Sequence, residues 1–177
     1  LSAPSNPFAF EKAWEYIDTN GYGVVINPAI GQLTDDNGDG QIDRLDNPDL
    51  VFTSYFGDTL IAVHGDGSGV LFEKHGYWGR SGVSIGDIDR DGQNEIVAAT
   101  TNYQVIALNA DGSEKWTSTE QPALEAEVLI ADLDMNGQNE VIVDGTVLEG
   151  ETGNLLFRVA DGPQRSVTAA DIDDDGS

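Results

Sequence analysis

Four short segments of the chain share one pattern, D-x-[DN]-x-[DN]-G, and they recur at intervals characteristic of a repeat protein. They are Asp35-Asp36-Asn37-Gly38-Asp39-Gly40, Asp87-Ile88-Asp89-Arg90-Asp91-Gly92, Asp132-Leu133-Asp134-Met135-Asn136-Gly137 and Asp171-Ile172-Asp173-Asp174-Asp175-Gly176. Successive starts lie 52, 45 and 39 residues apart, and the first interval carries an insertion between Gly40 and Asp49. A unit of that size matches the length of a four-stranded propeller blade better than a leucine-rich or tetratricopeptide repeat.

Around each segment the apolar residues alternate or form short runs, and no stretch keeps a helical period. In the second unit this predicts strands over 83–88, 95–99, 104–108 and 114–118, with an Asp111-Gly112 hairpin turn. The first unit repeats the series over 24–30, 49–53, 59–63 and 70–73, turning at Asp66-Gly67, and the third over 127–133, 140–143, 145–148 and 154–159, turning at Thr152-Gly153. Residues 10–16 (Phe-Glu-Lys-Ala-Trp-Glu-Tyr) resemble the fourth strands and are expected to form the outer strand of a preceding or neighbouring blade, and 166–170 to open a further one.

The expected fold is all-β: a propeller of four-stranded antiparallel blades, about three of them complete and two partial. The units divide as an N-terminal segment 1–17, a first blade 18–76 with an inserted loop, a second 77–120, a third 121–162 and a truncated start at 163–177. Three whole blades do not close a ring of the usual size, so either further chain or neighbouring copies are expected to complete it. A strand at 10–16 completing a neighbour's sheet would build filaments or closed oligomers.

Charge narrows the function. The chain carries 32 Asp plus Glu against 8 Lys plus Arg, a formal charge of −24, which repels nucleic acid and anionic lipid and excludes both as partners. No apolar run approaches the roughly 18 residues needed to insert in a membrane as a helix. The absence of cysteine removes disulfides, thiolate metal sites and cysteine nucleophiles. The chain begins at Leu1 with no charged n-region and apolar h-region behind it, as a processed or excised product would.

Half of the 32 carboxylates fall in the four loops, a density of like charge that calls for a cation among them. A hard divalent ion takes six to eight oxygens, and alternate residues of a tightly curled loop supply them. The second loop offers Asp87, Asp89, Asp91, the Gln93 carbonyl and Glu95; the third offers Asp132, Asp134, Asn136, the Gln138 carbonyl and Glu140. With Asn136 in place of an acid, the third loop is expected to be the weaker site. The first loop runs Asp35, Asn37, Asp39, the Gln41 carbonyl and Asp43 to Asp46, close to an EF-hand loop, although either Asp46 or Asp49 can close its shell. The fourth offers Asp171, Asp173 and Asp175. Magnesium, which keeps most of its waters, suits these loops less well, so three to four structural Ca²⁺ ions are expected, with affinities on the order of 10⁻⁴ to 10⁻³ M.

The stretches Ile85-Gly86-Asp87-Ile88-Asp89-Arg90-Asp91-Gly92-Gln93-Asn94-Glu95-Ile96-Val97 and Ile130-Ala131-Asp132-Leu133-Asp134-Met135-Asn136-Gly137-Gln138-Asn139-Glu140-Val141-Ile142 resemble FG-GAP (VCBS-type) repeats, found in integrin α-subunit propellers and in secreted bacterial surface proteins. The run from Leu33 to Phe52 is similar to the bacterial members. The resemblance implies a calcium-stabilised β-propeller on a secreted or cell-surface protein. It fixes no ligand, since one fold serves many functions.

The edge opposite the acidic loops is expected to gather Tyr55, His75, Tyr77, Trp78, Arg80 and Tyr103, a set suited to stacking a carbohydrate or contacting a protein, or to packing between blades. Trp14, Trp116 and Phe157, on outer strands, are expected to pack. Gly65-Asp66-Gly67-Ser68-Gly69 lacks the spacing of a phosphate-binding or nucleophile motif, and His64 and His75 have no acid and nucleophile arranged around them. The leading expectation is therefore a non-enzymatic extracellular module for adhesion or surface and filament architecture. Its rival is the propeller portion of a polysaccharide-active, lyase-like enzyme, with Arg80 and Tyr77 contributing. An EF-hand-like sensor is a third class, disfavoured because the flanks of 35–46 are strand-like.

Overall fold

The computed structural model describes residues 12–17, 21, 23–121, 125–159 and 168. Twelve strands form three four-stranded antiparallel sheets, each a simple meander. The first sheet comprises β1 (Ala29–Gly31), β2 (Asp49–Ser54), β3 (Thr59–Val63) and β4 (Val70–His75). The second comprises β5 (Val83–Gly86), β6 (Glu95–Ala99), β7 (Val105–Leu108) and β8 (Glu114–Thr117). The third comprises β9 (Val128–Ala131), β10 (Glu140–Val143), β11 (Thr146–Glu149) and β12 (Leu155–Arg158). No helix occurs among the described residues, and none is long and apolar enough to cross a membrane.

Alternation along each strand divides its side chains between two interfaces, which is why the middle strands read as continuous apolar runs. Val51, Leu60 and Ala62 of the first sheet meet Ile96, Ala98, Ile106 and Leu108 of the second. The opposite face of the second sheet, with Val97, Val105, Ala107 and Trp116, meets Val141, Val143 and Leu148 of the third. The first strands adjoin in the order β1, β5, β9, so the loops leaving them emerge at the same end of each sheet. The three sheets close no ring among the described residues.

A second contact repeats at the outer strands. Trp116 of β8 donates from Nε1 to the Gly150 carbonyl at 2.7 Å, and its ring covers Gly153, where an added Cβ would lie 2.5 Å from the indole. Trp14 does the same to the first sheet, donating to the Gly65 carbonyl at 2.9 Å and covering Gly67, where a Cβ would lie 2.6 Å from its ring. Phe72 takes this place over Gly112 between the first and second sheets.

Two strand expectations change. The first strand does not run over 24–30 but over Ala29–Gly31: Pro28 offers no N–H to a ladder, and Val24 and Val25 are exposed. Residues 12–17 are not in a strand, yet Trp14 and Tyr16 pack against Phe52, Ile61 and Val63, as an outer strand's side chains would. Phe157, expected to pack, is half exposed. The strand expected over 166–170 and the loop at 171–176 lie outside the described residues, Thr168 apart.

Candidate metal centres

Each acidic loop joins the first strand of its sheet to the second, and the three loops share one backbone. The fourth position of the motif is left-handed in all of them, at Gly38, Arg90 and Met135, and so is the sixth, at Gly40, Gly92 and Gly137. A side chain at the sixth position would strain that turn. The opening aspartate stitches the curl: Asp35 Oδ2 accepts the Gly40 N–H at 2.8 Å, and Asp87 Oδ2 accepts the Gly92 N–H at 3.0 Å. Later members cap the next turn of backbone, Asp39, Asp91 and Asn136 accepting from the N–H of Gln41, Gln93 and Gln138.

Two carboxylate triads result. Asp87, Asp89 and Glu95 bring one oxygen each within 4.8 Å of one another, and Asp132, Asp134 and Glu140 do likewise. The glutamate opens the second strand and is buried in both sheets, Glu95 at 2% exposure and Glu140 at 6%. Each reaches back across the loop: Glu95 Oε2 accepts the Ile88 N–H at 3.0 Å, and Glu140 Oε2 accepts the Leu133 N–H at 2.8 Å. Burial raises the Glu95 pKa above the usual carboxylate range, against the pull of the Ile88 N–H and the Lys115 ammonium.

The donors fit a hard divalent cation: carboxylate oxygens alone, converging, with backbone carbonyls close by in sequence. Asp132 Oδ1 is buried and accepts no hydrogen bond, a costly state for a carboxylate oxygen unless a cation meets it. The structure does not draw Asp91 into its triad, nor does it bring three carboxylates of 35–46 together among the described residues. Asp171, Asp173 and Asp175 lie outside those residues.

The first loop also separates Asp46 from Asp49. Asp49 Oδ2 accepts the Leu33 N–H at 3.1 Å, and Leu33 stands two residues past β1 as Ile88 and Leu133 stand past β5 and β9. By strand register Asp49 is therefore the counterpart of Glu95 and Glu140, whereas by motif position the counterpart of Ile88 is Asp36, whose N–H goes to Asp46. Asp46 belongs to the insertion, accepting from the N–H groups of Asp36, Asn37 and Asp43. The Asp43 N–H, helped by those of Asn37 and Asp36, holds its pKa below the ordinary 3.8. Neighbouring loops are tied together by Asn94 Nδ2 donating to the Gln32 carbonyl at 3.0 Å and Asn139 Nδ2 donating to that of Asp87 at 2.7 Å.

Lys115 is the site residue that spacing along the chain does not reveal. Its Nζ pairs with Glu95 Oε1 at 3.1 Å and with Asp89, and these partners outweigh burial to hold its pKa above the ordinary lysine value.

On the opposite edge, Tyr55, Phe56, Asp58, Trp78, Gly79 and Arg80 line a cleft of about 340 Å³. Arg80 lies over the Tyr55 ring, 4.6 Å from its centroid, and pairs with Glu125 Oε1 at 2.9 Å. Tyr77 is not part of that surface: it is buried at 5% exposure in the core between the first two sheets. Tyr103 is exposed, and His75 Nδ1 bonds the Thr59 hydroxyl at 2.9 Å.

No family model matches the chain, and no curated protein does. Among solved structures it is similar to the Vibrio cholerae biofilm matrix protein Bap1, with a TM-score of 0.56 and 19% identity over 85% of this chain and 34% of that one. The rhamnogalacturonan lyase YesW overlaps at a TM-score of 0.35, with 18% identity over 75% of this chain and 31% of that one, a value too low to carry an argument. The chain spans about a third of the length of either structure. At this identity the similarity to Bap1 shows a shared all-β fold.

Proposed function

We propose that the chain is a calcium-stabilised module of β-propeller type, built of FG-GAP/VCBS-like repeats, in an extracellular adhesion or matrix protein. The observation that carries this reading is the duplication of the triad: Asp87, Asp89 and Glu95 recur as Asp132, Asp134 and Glu140, on the same loop of successive sheets and with the same glutamate-to-backbone bond. Chance clustering of surface acid does not repeat in register. The role of the ion is structural. It screens carboxylates that otherwise repel and fixes the loop between the two innermost strands, so that binding and folding are coupled.

The shared fold with a biofilm matrix protein supports an architectural role, and the adjoining sheets support a propeller to which further units add. The Tyr55, Phe56, Trp78 and Arg80 cleft is where a carbohydrate or protein ligand would dock, since aromatic faces beside a guanidinium suit either. Isothermal titration calorimetry with calcium tests the reading. Saturable binding of at least two ions is expected, with one lost in Glu140→Gln. A flat titration up to about 10 mM calcium, tenfold above the weak end for extracellular modules, overturns it.

A further inference from the structure

We propose that Lys115 is a tethered internal cation of the second loop, so that the third loop, and not the more acidic second, is the tighter calcium site. This rests on the reading of both triads as calcium centres. Every sheet carries an irregularity in the same place, where the fourth strand pairs with the third. The register shifts between Ala62 and Val63, between Ala107 and Leu108, and between Val147 and Leu148. One residue of the outer strand is left unpaired at each shift: Leu71, Lys115 and Leu156. Such a bulge re-aims its side chain. In the second sheet alone that side chain is charged, and it delivers an ammonium to Asp89 and Glu95.

The Lys115 side chain is only 16% exposed, and its partner Glu95 only 2%. The ammonium therefore already supplies the positive charge that a divalent ion would bring to two of the three carboxylates. Calcium entering there must displace Lys115 from both ion pairs or bind against its repulsion. The third triad has an apolar residue, Leu156, at the equivalent bulge, and Asp132 Oδ1 is buried with no partner. Counting acids favours the second loop, because Asp91 stands where the third has Asn136; the lysine reverses that order.

The test is calcium calorimetry in an Asp35→Asn, Asp171→Asn background, which silences the first and fourth loops. Two classes of site are expected, the tighter lost in Asp132→Asn. Lys115→Met is expected to tighten the weaker class at least tenfold and leave the other unchanged, with Lys115→Gln as a second variant should the methionine protein fail to fold. Affinities unmoved by either substitution, or loss of the weaker class in Asp132→Asn, overturn the role of Lys115 alone. Absence of calcium binding in the parent and in both lysine variants overturns the calcium reading together with it.

Discussion

Excess chelator is expected to lower the melting temperature of the protein by about 5–10 °C for each ion removed. A site held at a hundredfold its dissociation constant contributes about 2.7 kcal/mol to the folded state, and for a chain of this size each kcal/mol is worth about 2–4 °C. The effect should centre on the third loop. Without an ion, Asp132, Asp134 and the buried Glu140 face one another with no ion pair to Lys115 or to Arg90, whose guanidinium lies instead over Gly137 of the loop, whereas Lys115 still neutralises part of the second triad. Differential scanning calorimetry in chelator and in calcium at about a hundredfold the dissociation constant, about 10 mM for a site of 10⁻⁴ M, reads the shift, and Glu140→Gln should shrink it. Magnesium should restore little of the loss, because it gives up its waters reluctantly.

Trp116→Ala is expected to be the most damaging single substitution in the sheet interfaces, at about 3–5 kcal/mol by the usual cost of deleting a buried aromatic side chain. The indole is 8% exposed, packs in the core shared by the second and third sheets, and donates to the Gly150 carbonyl. Its removal opens a cavity and leaves that carbonyl without its donor. At the same conversion the melting point falls by about 6–20 °C. Trp14→Ala should cost less, since Trp14 is only partly buried against its cluster. Thermal melts of the two variants side by side check both the size and the order; equal losses would contradict the packing described.

Much of this fold is legible along the chain because its local rules agree. Glu95–Ala99 and Glu140–Val143 read as short apolar runs ending an acidic loop, and each is a fully buried second strand. Hairpin glycines at 67, 112 and 153 announce the turns between third and fourth strands, and the structure adds a second reason for them, the aromatic ring lying on each. The first strand misleads because Val24 and Val25 imitate a strand, although they have no sheet to face and Pro28 interrupts the ladder. Distance in sequence hides more. Lys115 lies 20 residues from Glu95 and reaches it only because a bulge aims it there. Asp49 is legible as the strand entry, where it accepts the Leu33 N–H, but the choice between Asp46 and Asp49 as the residue closing the first shell turns on how the insertion folds back onto Asp36 and Asn37. Tyr77 takes the second of the two places open to it in the sequence, packing in the core between the first two sheets and not on the edge opposite the acidic loops.

The central claim is that the repeated triads bind calcium, and a crystal structure of the protein grown in millimolar calcium tests it most directly. The account predicts an anomalous difference peak at the third loop, with oxygens of Asp132, Asp134 and Glu140 and the Gln138 carbonyl drawn to about 2.3–2.6 Å from it, the usual calcium–oxygen distance. A well-ordered third loop with no such peak, its carboxylates turned to solvent, would contradict it.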